Sequence, residues 1–264
     1  MDATARDALA ARFGNIACEA GALILRLRTP EIGVRRKPDG SPVCRADEEA
    51  EALILSRLAA LLPDVSVIAE ESFAQRRDAA VPERFLLVDP LDGTREFLAG
   101  HDEYTVNIAL IERGEPIVGA VCVPALDEVY VAGACAFRAE MTAPLATGAL
   151  KPISTASVPP SGTRALASRS HLDPQTEHWL AERGITQLLR RGSSYKFCLI
   201  ARGDADVYPR LAPTMEWDTA AGHAILKAAG GSVLALDGSP LRYGKKDAGF
   251  KNAGFIAWGR EPAA

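Results

Sequence analysis

The sequence has no CxxC pair and no Cys/His spacing of the kind that grips zinc. Its five cysteines, Cys18, Cys44, Cys122, Cys135 and Cys198, are odd in number and scattered through mostly apolar stretches. That excludes a disulfide framework and predicts buried, reduced thiols in a cytosolic protein. Charge of one sign is also missing. The 30 basic and 34 acidic residues are interspersed and leave a formal net charge of −4, without the basic patch or tail that a nucleic-acid polymer or a membrane surface would require. A small anionic ligand stays compatible, because a pocket can be basic inside an acidic chain. The opening stretch MDATARDALAARF lacks a basic segment leading into an apolar core, so it does not read as a signal peptide. No apolar run reads as long enough to span a bilayer, and no internal repeat is visible. These absences predict a soluble, cytoplasmic chain.

What is present is a chain of 264 residues, 48% apolar, enough for one large domain or two tightly fused halves. Leu9, Phe13, Ile16, Ala20, Leu23, Ile24 and Leu27 keep a helical period, predicting a long helix over about 3–28. Pro38-Asp39-Gly40 then joins two extended pieces, and Ala50, Leu53, Ile54, Leu58 and Leu61 mark a second helix that Pro63 ends. Strand-like runs follow at Val65–Ile68, Phe85–Val88, Thr105–Glu112, Pro116–Val123 and Glu128–Cys135, and about 136–163 reads as a seam without period. Beyond it helices and strands alternate, with helices expected near 173–183, 194–202 and 218–229. Interleaving of this kind predicts sheets sandwiched between helix layers.

The informative residues are acidic. RFLLVDPLDGTREF delivers Asp89 and Asp92 into a tight turn after a buried strand, and Gly93-Thr94 opens a short helix whose first N–H groups face the same point. VSVIAEES ends a second apolar strand in Glu70-Glu71, Asp218 opens a helix of small residues in EWDTAAGHAIL, and Asp47 opens the second helix. Taken singly each has a plain structural explanation: a surface turn at Asp92-Gly93, a solvated strand end at Glu70, helix N-caps at Asp218 and Asp47. Together they form an oxygen-only donor set without His or Cys, which suits Mg2+ or Mn2+ rather than zinc. The Asp-x-Asp-Gly-Thr of haloacid-dehalogenase-type phosphatases is excluded, because Leu91 stands where that family's second Asp would be.

AEES, DPLDGT and WDTAAGHAIL, in this order and spacing, resemble the inositol monophosphatase superfamily of Mg2+-dependent, lithium-sensitive phosphatases. ASRSH (167–171), RGSSYKFCLIARGDADVYPR (191–210) and APTMEWDTAAGHA are similar to its CysQ-type branch of 3′(2′),5′-bisphosphate nucleotidases. The resemblance implies an α/β (α+β) fold, a layered α-β-α-β-α sandwich, with an N-terminal half over 1–150, a C-terminal half over 151–264 and the active site at their junction. It implies hydrolysis of adenosine 3′(2′),5′-bisphosphate to AMP by metal-activated water, in the service of sulfate assimilation. The metal ligands would be Glu70, Asp89, Asp92, Asp218 and the Leu91 carbonyl. Asp47, Glu70 and Thr94 would act in catalysis, and Gly93 and Thr94 would hold the phosphate being cleaved. Ser193, Ser194, Lys196, Arg210 and Asp218 would bind the rest of the substrate.

The cofactor implied is Mg2+, two or three ions, with Mn2+ a substitute and Li+ and Ca2+ inhibitors. The partner implied is a small nucleotide bisphosphate, with peripheral association to the inner membrane compatible with the family, and monomer and homodimer both open. The family's usual Thr is replaced by Cys44, and Lys37 is expected to approach the site from the KPDGSP loop. Two other functions compete: an inositol or sugar monophosphate phosphatase, and a non-catalytic sensor of nucleotide bisphosphates.

Overall fold

The computed structural model describes residues 1–29, 32–37, 40–73, 81–141, 150–169 and 172–260. The elements run α1 (Ala3–Leu27), β1 (Arg35–Arg36), β2 (Pro42–Val43), α2 (Arg45–Leu61), β3 (Ser66–Ala69), β4 (Arg84–Asp92), α3 (Thr94–Leu98), β5 (Thr105–Glu112), β6 (Glu115–Val123), β7 (Glu128–Ala132), β8 (Ala136–Glu140) and β9 (Lys151–Pro152). Then come β10 (Arg164–Ser168), α4 (Pro174–Glu182), β11 (Gln187–Arg191), α5 (Tyr195–Ala201), β12 (Val207–Arg210), β13 (Thr214–Met215), α6 (Ala220–Ala228), β14 (Ser232–Leu234), β15 (Lys251–Asn252) and β16 (Phe255–Trp258).

Strands β3 to β9 form a seven-stranded sheet in chain order, parallel between β3 and β4 and antiparallel elsewhere. A second sheet has the order β11-β10-β12-β16-β14, with β10 parallel to β11 and β12. Alternation along the strands explains the layering. Leu86 and Val88 of β4 face α1 and α2 in one core, whereas Phe85 and Leu87 face α5 and α6 in another. The second core continues into the smaller sheet through Leu166, Tyr208, Phe255 and Ala257. Trp179 and Leu180 of α4 cover the far side of that sheet, against Ala165 and Val207. Five layers result, α1/α2, sheet, α5/α6, sheet and α4, as the sandwich predicts. The chain changes sheets between Pro152 and Arg164.

Several expectations need correction. The seam begins later than expected, because 136–140 is a strand paired to β7 and 151–152 pairs in turn with β8. Cross-strand pairing makes these strands, and their own pattern does not announce it. Both aspartates of the DPLD turn lie within β4 rather than after it, with a register irregularity between Asp89 and Asp92. Helix α2 is capped by Cys44 and α6 by Thr219, so Asp47 lies inside the first turn of α2 and Asp218 directly precedes the α6 cap. Helix α1 is long and apolar enough to cross a membrane, contrary to the sequence reading. Here its apolar residues, among them Phe13, Ala17 and Ile24, belong to the core against α2 and the large sheet. Four cysteines are buried, and Cys135 is exposed. Pro38 and Asp39 of the expected hairpin turn lie outside the described residues, although β1 and β2 flanking them pair antiparallel.

Candidate active site

One pocket of about 250 Å3 is lined by Glu70, Asp92, Gly93, Thr94, Ser193, Ser194, Lys196, Arg210 and Asp218, together with Ser168, Tyr208, Thr214 and Phe255. Nine residues singled out in the sequence thus meet around one space, drawn from both sheets. Asp47, Asp89 and Leu91 do not line it but lie directly behind. The Thr94 hydroxyl donates to Asp47 Oδ1 at 2.9 Å, with the Leu91 carbonyl at 3.2 Å as its other acceptor. Asp89 is buried, and its Oδ1 accepts the Leu91 N–H at 3.0 Å.

Local structure aims these groups. Gly93 caps α3 with φ of 90°, a left-handed conformation that glycine adopts without strain. This turns the chain sharply out of β4 and brings Thr94 onto the pocket wall. Asp47 is the third residue of α2 in a capping box, where its Oδ2 accepts the Cys44 N–H at 2.9 Å and the Cys44 thiol at 2.8 Å. The box leaves Oδ1 for Thr94. From the second half, the Ser194 N–H donates to Asp92 Oδ2 at 2.6 Å, and its hydroxyl bonds Asn107 Oδ1 and Thr105 Oγ1. Asp218 Oδ2 accepts from the Met215 N–H at 3.0 Å and from the Thr214 hydroxyl.

Negative charge is crowded here. Asp89 is held well above the usual carboxylate range by burial first, then by Glu70, Asp92 and Asp218. Burial and then Asp218 lift Asp92 to about 7. Glu70 is raised by burial, with Asp218 and Asp47 adding to it against the pull of Lys37. Burial and Glu70 bring Glu71 to about 7. Lys37 donates to Glu70 Oε1 at 2.6 Å and Glu71 Oε1 at 2.7 Å, fulfilling its expected approach. Burial acts to lower the Lys37 ammonium, and these two carboxylates more than reverse it.

Hard oxygen donors repelling each other across a polar pocket fit a divalent cation of the Mg2+ type. As the side chains are placed, no three His, Cys, Asp or Glu among the described residues converge tightly enough to grip an ion. Lys37 lies on Glu70, and Asp218 Oδ2 is turned toward Thr214 and Met215.

Lys196 lines the pocket and is also engaged behind it. It is buried, its ammonium donates to the carbonyls of Ser193 at 2.6 Å and Arg191 at 3.2 Å, and it stands 4.9 Å from the Tyr208 ring centre. It shapes the turn before α5 as well as lining the pocket. Arg210 bonds the Pro213 carbonyl at 3.3 Å. Ser170 and His171 of the ASRSH string lie outside the described residues. Sequence reasoning missed Thr105 and Asn107, although two polar residues at i, i+2 in an otherwise apolar strand were a signal that one strand end faces something polar. It also missed Glu103, whose place in a polar loop carried no signal.

The family model described as the inositol monophosphatase family matches residues 5–259. The 3′(2′),5′-bisphosphate nucleotidase CysQ of Escherichia coli K12 is 41% identical over 243 residues, covering 91% of this chain and 95% of that protein. Its counterpart in Buchnera aphidicola is 38% identical, covering 92% and 90%. Among solved structures, CysQ from Bacteroides thetaiotaomicron superposes with a TM-score of 0.81 at 38% identity, covering 97% of this chain and 98% of that one. The inositol monophosphatase of Anabaena, at 24% identity and a TM-score of 0.73, covering 96% and 90%, shares the fold.

Proposed function

The chain belongs to the inositol monophosphatase family, and from that membership we propose a Mg2+-dependent phosphatase that removes the 3′(2′)-phosphate of adenosine 3′(2′),5′-bisphosphate. The observation that carries the substrate class is the mixed lining of the pocket. It brings together the carboxylates, with the Thr94–Asp47 pair beside them, and a polar, basic set made of Ser193, Ser194, Lys196 and Arg210. A substrate with two phosphates can engage both sets. A monophosphate would leave the basic set without its phosphate.

In this reading Glu70, Asp89, Asp92, Asp218 and the Leu91 carbonyl hold the cations. Bound Mg2+ supplies Lewis acidity toward water and the phosphoryl oxygens. The chain's own groups do the rest. Asp47 holds the Thr94 hydroxyl in place, which leaves Thr94 as a relay for the proton of the attacking water. Gly93 and Thr94 present backbone N–H groups to the non-bridging oxygens, and Glu70 orients the water. Lys196 and Arg210 supply positive charge for the phosphate that is retained. Two or three ions, inhibition by Li+ and Ca2+, a cytoplasmic setting and a role in sulfate assimilation are part of the same proposal.

Phosphate release from adenosine 3′,5′-bisphosphate and from inositol 1-phosphate, each with Mg2+ and with EDTA, tests it. Preference for the bisphosphate and silence in EDTA are expected. Equal or better use of inositol 1-phosphate would replace the reading with a monophosphatase. Mg2+-dependent nucleotide binding without release would replace it with a sensor.

A further inference from the structure

Glu103 lies in the loop between α3 and β5, outside the pocket lining, with its side chain only 13% exposed. Its Oε2 accepts the Gly192 N–H at 2.7 Å and Arg169 Nη2 at 2.8 Å, and its Oε1 stands 3.5 Å from Arg191 Nε. Arg169 and Arg191 follow or end the parallel strands β10 and β11, and the Arg169 N–H donates to the Arg191 carbonyl at 3.1 Å. One carboxylate from the first half therefore grips the ends of two strands of the second.

Backbone packing shows how tight that grip is. A Cβ on Gly192 would stand 2.4 Å from the Glu103 carbonyl oxygen, so the turn lies against the loop with no room for a side chain. Immediately downstream, Ser193 adopts φ of 45°, Ser194 reaches Asp92, and Lys196 ties back to the Arg191 and Ser193 carbonyls. Further fastenings of this turn to the first half, at Asp92, Thr105 and Asn107, run through Ser193 and Ser194 themselves. Glu103 is a charged anchor that acts from outside the pocket.

We infer that Glu103 is a positioning residue that sets substrate selectivity, by fixing the 191–196 turn at the span a nucleotide bisphosphate requires. This rests on the function proposed above. The Glu103 side chain contacts Gly192, Arg169 and Arg191, whereas a monophosphate needs Gly93, Thr94 and the cation-holding carboxylates Glu70, Asp89, Asp92 and Asp218. A bisphosphate also needs Ser193, Ser194 and Lys196 at the right distance from them, and that distance is what the Glu103 clamp holds.

The test compares wild type with Glu103→Ala, Glu103→Gln and Gly192→Ala, using kcat and KM for adenosine 3′,5′-bisphosphate and inositol 1-phosphate, AMP affinity by calorimetry, and Tm. Loss of a charge-assisted bond of this kind predicts that Glu103→Ala raises KM for the bisphosphate by about 10-fold or more and weakens AMP in proportion. Its kcat should hold within about 3-fold, and inositol 1-phosphate should be nearly unaffected. Glu103→Gln keeps an oxygen for the Gly192 N–H and should recover much of the loss. Gly192→Ala, which leaves the carboxylate in place, should reproduce it. Equal losses on both substrates, or an unchanged bisphosphate KM and AMP affinity in Glu103→Ala, overturn the assignment. Wild type preferring inositol 1-phosphate would sink the functional reading and this inference with it. A wild-type bisphosphate preference that is undiminished in Glu103→Ala would sink the inference alone.

Discussion

Removing divalent cations should make this protein lose stability as pH rises toward neutrality, and Mg2+ should cancel that loss. Glu70, Glu71, Asp89 and Asp92 all hold protons more tightly than ordinary carboxyls, and for Glu71 and Asp92 the midpoint is about 7. When the folded pKa lies above the unfolded one, the stabilising contribution is complete below the unfolded value, near 4, and is lost as pH climbs through the folded value. His223 works in the opposite sense. Burial holds its imidazole down to about 3, so only the unfolded chain takes up that proton below about 6.5, and folding gains as pH rises to there. Near pH 6 the native state thus keeps protons on at least Glu71 and Asp92 while the unfolded state keeps at most the one on His223. A net difference of about one proton gives roughly 1.4 kcal/mol lost per pH unit, or about 3 kcal/mol between pH 5 and 7.

For a chain of this size that corresponds to a fall of roughly 5–10 °C in Tm. Mg2+ at about a hundredfold over its Kd would return ~2.7 kcal/mol at neutral pH. Thermal unfolding in EDTA and in Mg2+, at half-unit steps from pH 5 to 7.5, reads both effects. A Tm in EDTA that climbs from pH 5 to 7, or no Mg2+ shift at pH 7.5, would refute the reasoning.

Three further outcomes are expected. Lys196→Ala should cut kcat/KM for adenosine 3′,5′-bisphosphate by roughly 10–100-fold, the scale of a lost charged hydrogen bond, and affect inositol 1-phosphate much less; equal losses measured on both would remove Lys196 from substrate choice. Cys44→Ala, which leaves Asp47 Oδ2 with only the backbone N–H, should cost about 0.5–2 kcal/mol in urea unfolding and lower kcat, whereas Cys44→Thr should keep both. Gly119→Ala would set a Cβ 2.6 Å from the Ala221 carbonyl and 2.8 Å from Ala224 Cβ, so denaturant titration should show a loss of about 1–3 kcal/mol.

The catalytic wall was legible because its residues sit where chain patterns change. Glu70 ends an apolar strand, Asp92 precedes Gly93-Thr94, and Asp218 precedes a helix of small residues, so each could be placed locally. The layering followed from runs whose period was unambiguous, such as α1 and β5. What stayed illegible depends on partners distant in the chain. Strand β8 exists because β7 lies beside it, Glu103 acts 89 residues away on Gly192, and Lys196 is recognisable as a turn-former only once the Arg191 and Ser193 carbonyls curl back over it. Glu71 likewise gains its raised pKa only in the folded chain, through burial and then Glu70, against the opposing pull of Lys37.

Helices α5 and α6 touch both sheets, and a single core runs from Phe85 and Val121 through Phe197 and Ile225 to Phe255. Enzymes whose pocket lies between two separately cored lobes can admit and release ligands by hinging the lobes apart. Here such a movement would split one continuous apolar interior and strand its aromatic side chains in water. Access to the pocket is then set at its rim, where Ser41 and Pro42 stand and Lys37 lies on Glu70, while the middle layer stays rigid. Backbone amides of α5 and α6 should then exchange with solvent only on global unfolding, even during catalysis.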